Sequence, residues 1–415
     1  MKRLLRRCYE PVRYESARWP LWRWDMNLRY IAKSLWHVPA PASPEDQTHY
    51  AAMFRYLEAR RAPTLYGRKF RLGALGDLMW IRSGYERVLS PALHRAVSDA
   101  DVLFANLETP TDPAAKVQRW VYETLHYNAP PEYLAPFART RPEQARVVSL
   151  CNNHALDQGF SGLAATRRAV LSRPGFSCLG GPSAGDESAL VSVQGVTLGC
   201  LGITFGINHQ ERYATPWGIP QERFGDPAHE PNWDALSLRI QALREAGADV
   251  IVLVPHWGYE YEYWPDAKMR EHAHRLVSLG ADVIIGSSPH VLQPIEVVSV
   301  DGWDSACPVQ LQRGGPPRAA VIMYSLGNFA SIMPTLACQT GALASLELGL
   351  SRDGALSLGA LRVTPTACFR GLGATWLDAR AVTLGELPPE RAAQHRDYAA
   401  QTLGPLLNET PPGGP

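Results

Sequence analysis

Carboxylates, imidazoles and amides recur in this chain directly after short apolar runs. The densest instance is SLCNNHALDQGFSGLAAT, residues 149–166, where a hydrophobic run over 146–150 leads into Asn152, Asn153, His154 and Asp157. Other apolar runs end in Asp77, Glu108, His256, His290 and Asn328. Each is a metal- or phosphate-competent group. Carboxylates with imidazoles and an amide oxygen suit zinc or another divalent transition metal, and a carboxylate can bridge two ions. Such ions polarise a phosphoryl oxygen and lower the pKa of bound water, giving a nucleophile near neutral pH. In that chemistry His154 is the natural proton donor to a leaving oxygen, with Asp157 orienting its ring. Taken alone, residues 149–166 fit a plainer account equally, a strand-to-helix loop whose Asn and Asp cap the helix.

What must position these groups is a set of buried strands. Residues 70–75, 101–105, 146–150, 249–254, 282–285 and 319–324 read as strands, several of them apolar throughout, as in strands covered on both faces. Helices are expected over 85–99, from 160 onward, over 233–246 and over 267–279, the last two closed by Gly247 and Gly280. Residues 189–204 and 343–364 read as hairpins turning at Gly195 and at Arg352-Asp353-Gly354. Strands alternating with helices imply an α/β fold, to which the hairpins add antiparallel pairing. In open α/β sheets ligands bind at the carboxyl ends of strands, which is where the polar groups fall. One domain over 66–385 is the economical reading. It is preceded by a basic, aromatic extension over 1–65, with a helix expected over 48–61, and followed by a Pro-rich tail over 386–415. Residues 109–145 read as a long irregular insertion, with a lid as one use for it.

Composition narrows the function classes. At 415 residues and 46% hydrophobic content the chain can build a large core. A net charge of +1 sets up no field that would favour nucleic acid. Seven cysteines without a CxxC pair argue for buried free thiols in a reducing compartment. The opening MKRLLRRCYEPVRYESARWPLWRW has no unbroken apolar segment of signal-peptide kind, and no run of about 18 apolar residues follows. A cytoplasmic location is the expectation. The Arg/Trp mixture suits either packing on the main domain or peripheral contact with an anionic membrane surface. No GxxxxGK[ST], HExxH or G-x-S-x-G occurs, which argues against NTPase, zincin and serine-hydrolase readings.

GDLM, NLETP, NNHALDQG, HWGYEYEYWP, GADVIIGSSPHVLQPIE and YSLGNF, in that order over most of residues 70–330, resemble the CapA family of bacterial capsule and poly-γ-glutamate biosynthesis proteins. That family is similar to calcineurin-like metallophosphoesterases. The resemblance implies a four-layer α/β/β/α sandwich with mixed sheets and one or two divalent ions, manganese, zinc or iron. It puts Asp77 in the place of the first metal-binding Asp and Glu108 in that of the bridging carboxylate. Asn153 is implied as a ligand and His154 as the residue facing substrate, while His256 and His290 match the later metal-binding histidines. The implied substrate is a phosphoester or an anionic polymer. Two positions depart from the pattern, since Met79 and Ser288 stand where metallophosphoesterases usually carry histidine. Each loss removes an imidazole, so a single ion, exchangeable ions and a non-catalytic polymer-binding scaffold all remain open, as does amide or γ-glutamyl hydrolysis.

Asn152, Glu260 and Asn328 are the candidate substrate contacts, Glu260 alternatively orienting a neighbouring ligand and Asn328 serving a tight turn. Trp257, Tyr259, Tyr261, Tyr263 and Trp264 either wall a pocket or cover the sheet edge. His272 and His274 lie on diverging sides of a helix and are expected in packing or surface roles. His209 and His229 belong to a loop that could fold over the site.

Overall fold

The apolar run at Val250–Val254 and its counterparts fold as buried parallel strands, because without a polar face they must be covered on both sides. The computed structural model describes residues 32–37, 39–41, 43–117, 126–208, 218–227, 229–370 and 379–407. In chain order the main elements begin with α1 (Pro44–Ala59), β1 (Arg68–Met79), α2 (Pro91–Ser98), β2 (Val102–Glu108), α3 (Ala135–Ala138), β3 (Ala145–Ser149) and α4 (Gly159–Leu171). Then come β4 (Phe176–Leu179), β5 (Ser188–Val193), β6 (Val196–Thr204), α5 (Trp233–Glu245), β7 (Val250–His256), α6 (Ala267–Leu279) and β8 (Val283–Ile285). The rest are β9 (Ile295–Val300), β10 (Gln310–Leu311), β11 (Arg318–Met323), β12 (Asn328–Ala330), β13 (Thr340–Leu350), β14 (Leu356–Arg370), β15 (Ala379–Thr383) and α7 (Pro389–Leu403).

The strands make two mixed sheets. The first runs β4-β3-β2-β1 in parallel and continues antiparallel through β13, β14 and β15. In the second, β6, β7, β8 and β11 are parallel, while β5 and β9 pair antiparallel at either side. One residue pair, Arg318 with Leu356, joins them. Side-chain alternation separates the layers. Leu72, Ala74, Val102, Phe104 and Val147 share a core with Leu198, Cys200, Leu253 and Ile284 of the second sheet. Their alternates Leu75, Leu103, Ala105 and Val148 meet Leu93 and Val97 of α2 and Leu163 and Val170 of α4. On the far side Leu236, Ile240 and Leu243 of α5 and Leu276 of α6 pack on the second sheet. The result is an α/β/β/α sandwich. The sheets approach so closely at Gly202 that a Cβ there would lie 2.7 Å from Cys151 Sγ.

Two regions differ from the sequence reading. The expected tail contains α7, whose opening Pro389 is compatible with a first helical turn. Tyr398 of α7 is buried, and its hydroxyl accepts from Leu292 N at 2.9 Å. Pro388 and Pro389 thus mark a helix start within the Pro-rich segment. Likewise α1, within the expected extension, starts at Ser43, whose hydroxyl caps Asp46 N, and buries Tyr50, Met53 and Tyr56 in the main core. The basic segment before residue 32, with its expected membrane contact, lies outside the described residues, as do His209 and the last eight positions. No helix among the described residues is long and apolar enough to cross a membrane. Every described cysteine is a buried free thiol.

One buried ion cluster ties the second sheet together. The Asp282 carboxylate accepts from Arg318 at 2.8 and 2.9 Å, from Arg244 at 2.7 Å and from Ile251 N at 2.9 Å. Burial alone would raise its pKa, but Arg318, Arg244 and Arg313 together hold it well below the ordinary carboxylate value. A depressed folded-state pKa contributes stability that is present above the unfolded value and lost as pH falls toward the folded one. Asp282→Ala leaves Arg318 buried without its partner. It is expected to lower unfolding free energy by about 3–5 kcal/mol in urea titration at neutral pH, a loss that shrinks progressively below about pH 4.

Candidate metal centre

The carboxyl ends of parallel strands from both sheets converge. Asp77 lies at the end of β1, Asn106 and Glu108 at the end of β2, and His256 at the end of β7. Asn152–His154 follow β3, and Ser287–His290 follow β8. Ligand oxygens of Asp77 and Glu108 and a ring nitrogen of His256 all lie within 4.8 Å of one another, and all three residues are buried.

Close backbone approach makes this possible. A Cβ on Gly76 would lie 2.2 Å from Gly327 O, so only glycine lets β1 run against the Ser325–Asn328 turn. The next residue, Asp77, donates its N–H to that same Gly327 O at 2.9 Å. Asp77 Oδ1 accepts from Asn106 Nδ2 at 2.9 Å, and Oδ2 from Ser288 N at 3.2 Å. His256 is aimed from both sides of its ring. Nδ1 lies 3.0 Å from Ser287 Oγ, while Nε2 lies 3.0 Å from Asn153 Oδ1 and 3.5 Å from Glu108 Oε1. For Nε2 to bind an ion the ring proton must sit on Nδ1, where Ser287 Oγ is placed to accept it.

His290 completes the cluster. Its Nδ1 lies 3.0 Å from Asn328 Oδ1 and 3.6 Å from Asp77 Oδ2, and its Nε2 lies 3.9 Å from Glu108 Oε1. Burial would lower its pKa, but Glu108, with Asp77 and Glu260, raises it to about 9. The pocket therefore carries surplus negative charge that favours a cation. Ser288 and His290 have φ of 96° and 60°, unusual for residues with side chains. Strain of this kind persists where the surroundings over-determine the backbone, commonly at functional sites.

At the rim His154 Nδ1 lies 2.7 Å from Asp157 Oδ2, which also accepts from Tyr127 N at 2.7 Å. The His154 ring stacks on Tyr127 with centroids 4.4 Å apart, and its side chain is 11% exposed. Solvent thus reaches the imidazole while its partner Asp157 is buried.

Two of the expected substrate contacts are turned inward. Asn152 is buried and hydrogen-bonded inward, donating to Asn106 Oδ1 at 3.1 Å and Leu107 O at 2.8 Å and accepting from His154 N. Asn328 is also fully buried, and its amide joins His290 to Cys338 O at 3.0 Å. Both hold the site from beneath. Glu260 is partly exposed and acts electrostatically on His290. The aromatic run after His256 is core, with Trp257 Nε1 donating to Tyr324 O and Tyr259 Oη to Gly225 O. His272 is buried against Trp233 and accepts from Gly225 N, whereas His229 pairs with Asp226 in the neighbouring loop.

Asn106, Ser287 and Tyr127 were not singled out as site residues. Asn106 precedes Glu108 by two positions on a strand, hence on the same face, a spacing that could have revealed it. Ser287 stands three residues before His290 in a run of small residues, with nothing local to distinguish it. Tyr127 belongs to the irregular 109–145 stretch, where periodicity is silent.

Oxygen and imidazole donors around two carboxylates fit a divalent ion. Asp77, Glu108, Asn153, His256 and His290 are the residues that would hold it. The soft Met79 pairs in register with Glu108 and is buried, while position 288 contributes its backbone N–H to Asp77. Position 288 thus reaches the cluster through its backbone, and Met79 lies beside it in register on the next strand.

A family model for the bacterial capsule synthesis protein PGA_cap matches residues 61–333. The PGA biosynthesis protein CapA of Bacillus subtilis (strain 168) is 32% identical over 191 residues, 44% of this chain and 42% of that protein. The capsule biosynthesis protein CapA of Bacillus anthracis is 29% identical over 188 residues, 44% of this chain and 39% of that one. The matches thus span less than half the length of these curated relatives. Among solved structures, the NAD nucleotidase of Haemophilus influenzae is similar at a TM-score of 0.39 and 11% identity, over 84% of this chain and 57% of the other. That likeness is too loose to bear on chemistry.

Asp77→Asn and Glu108→Gln each remove a charged donor. After manganese loading and desalting, mass spectrometry is expected to find at least about tenfold less bound manganese in either variant than in wild type. Asn328→Ala, which removes the side chain that holds His290, is expected to weaken manganese affinity by about 10- to 100-fold in competition titration.

Proposed function

We propose that this chain, which belongs to the PGA_cap family of bacterial capsule synthesis proteins, is a metal-dependent hydrolase or transferase acting on a phosphoester. The observation that carries this reading is the convergence of Asp77, Glu108 and His256 donors within 4.8 Å beside the rim dyad His154–Asp157. When bound at such donors, a divalent ion stabilises charge developing on a phosphoryl oxygen and activates water. The residues divide the remaining work. Asp77, Glu108, Asn153, His256 and His290 form the anionic cradle. Asn106 and Ser287 fix two of those ligands in orientation. His154, donating its Nδ1–H to Asp157 and carrying a second proton on Nε2, delivers that second proton to the leaving oxygen. Tyr127 holds the imidazole plane by stacking and donates its N–H to Asp157, which keeps that carboxylate from rotating.

Capsule or poly-γ-glutamate synthesis is the proposed setting, with an anionic polymer or its phosphoester precursor as substrate and with no nucleic-acid partner. The buried Met79 and the non-imidazole role of position 288 favour a second reading, a polymer-binding assembly protein on the same scaffold. A third directs the same centre at an amide or γ-glutamyl bond, since a metal-activated water attacks carbonyl carbon as well as phosphorus.

His154→Ala is expected to lower kcat by about 10²- to 10⁴-fold on the best substrate from a panel of phosphoesters and γ-glutamyl amides. Bound manganese and polymer binding should stay unchanged. Asp157→Asn should follow with a smaller loss. Turnover by the amides alone would move the reading to amide hydrolysis. Unchanged cellular function in the His154→Ala strain would support the assembly role.

A further inference from the structure

A second set of metal donors lies apart from the strand-end centre and shares no residue with it. His49 of α1 and His274 of α6 meet one carboxylate, Glu296 of β9. His49 Nε2 lies 2.5 Å from Oε1, and His274 Nε2 lies 2.8 Å from Oε2. One ligand atom from each residue falls within 4.8 Å of the other two. The carboxylate is fully buried, whereas the two rings are 21% and 22% exposed. The cluster is therefore closed beneath and open to solvent on the ring side.

The charges around Glu296 do not satisfy it otherwise. Its ion-pair partners among the described residues are these two imidazoles. The nearby cation Arg270 is committed to Asp46 at 2.8 Å. Burial alone would raise the Glu296 pKa, yet the two rings bring it down to about 2. Tyr50 and Tyr324 also lie close to the carboxylate, but the Tyr50 hydroxyl is committed to Pro265 O at 2.8 Å. A buried carboxylate, two imidazole Nε2 atoms aimed at it and one open side make the donor set of a zinc site with three protein ligands and one solvent position.

We propose that His49, His274 and Glu296 bind a divalent transition metal ion, zinc by the chemistry of the donors, which clamps α1 onto α6 and β9. The three ligands come from separate elements, and His49 lies before residue 61, where the family match begins. The clamp fastens a segment outside that match to the fold within it. Bond lengths near 2.1 Å at a tetrahedral angle put donor atoms about 3.4 Å apart. The ion would take the place of the ring protons on the two Nε2 atoms, which now lie 2.5 and 2.8 Å from the carboxylate oxygens, and the partly exposed rings can draw back to admit it.

The test uses full-length protein and zinc alone. Wild type, Asp77→Asn and His49→Gln/His274→Gln proteins are dialysed against zinc, desalted and assayed by mass spectrometry, with binding constants from competition against a chromophoric chelator. Glutamine can still donate a hydrogen bond to Glu296, so the double variant retains the contact without the metal donor. It is expected to hold one equivalent less zinc than wild type and to lose the added thermal stability that zinc confers. Asp77→Asn should keep the His49 equivalent, which separates failure here from failure at the strand-end centre. Zinc content and melting temperature unchanged by His49→Gln/His274→Gln would overturn the proposal. Should that variant misfold, cobalt-loaded Asp77→Asn decides the matter. Intense visible d–d absorption of a low-coordinate site supports it, and no such absorption overturns it.

Discussion

Two carboxylates, Asp77 and Glu108, are buried beside one another at the ends of neighbouring parallel strands, and much of the surrounding structure answers to that charge. Removing a carboxylate from water costs several kcal/mol even after relaxation. The chain meets this cost with directed dipoles and rings: the Asn106 amide and Ser288 N–H on Asp77, and His256 and His290 beside Glu108. His290 must leave ordinary backbone conformations to get there, at φ 60°. Mutually supporting hydrophobic contacts elsewhere in the sandwich hold such a loop in place. A site that concentrates like charge against such a turn has the donors to suit a cation.

Much of the architecture was legible because its signals are local. Apolar runs such as Val250–Val254 have no polar face to expose, and the glycines after α5 and α6 mark helix ends without ambiguity. The ordering of polar groups at strand ends followed from the same reading, since topology brings carboxyl ends of parallel strands to one edge. What stayed hidden depended on contacts between distant segments. Asn152 and Asn328 have the composition of ligand-facing amides, and only the folded chain shows that they also bond Asn106 and His290. The chain after Leu387 looks loose by composition, yet Tyr398 anchors it through Leu292. His49 and His274 are separated by most of the chain, and no spacing rule couples them.

The rim dyad illustrates how an irregular segment can matter. Residues 109–145 have little periodicity, but Tyr127 covers the His154 ring and its backbone donates to Asp157. Farther along, Tyr133 Oη donates to Met79 O at 2.8 Å, next to the strand end that carries Asp77. The insertion is thereby coupled at two points to the polar centre. Between these points Asn128 is fully buried and ties the segment to Asp112 through its amide.

Helix α1 ends just before the family match begins, yet Tyr50, Met53, Tyr56 and Leu57 lie in the same core as the second sheet and Leu403 of α7. Each such side chain contributes about 1.5–3 kcal/mol by leaving water. A fragment cut at the borders of the family match would lose α1, α7 and β13–β15 together and bare the apolar faces they cover on the second sheet, a surface apt to self-associate. In this chain the limits of homology and the limits of a self-sufficient folding unit fall in different places.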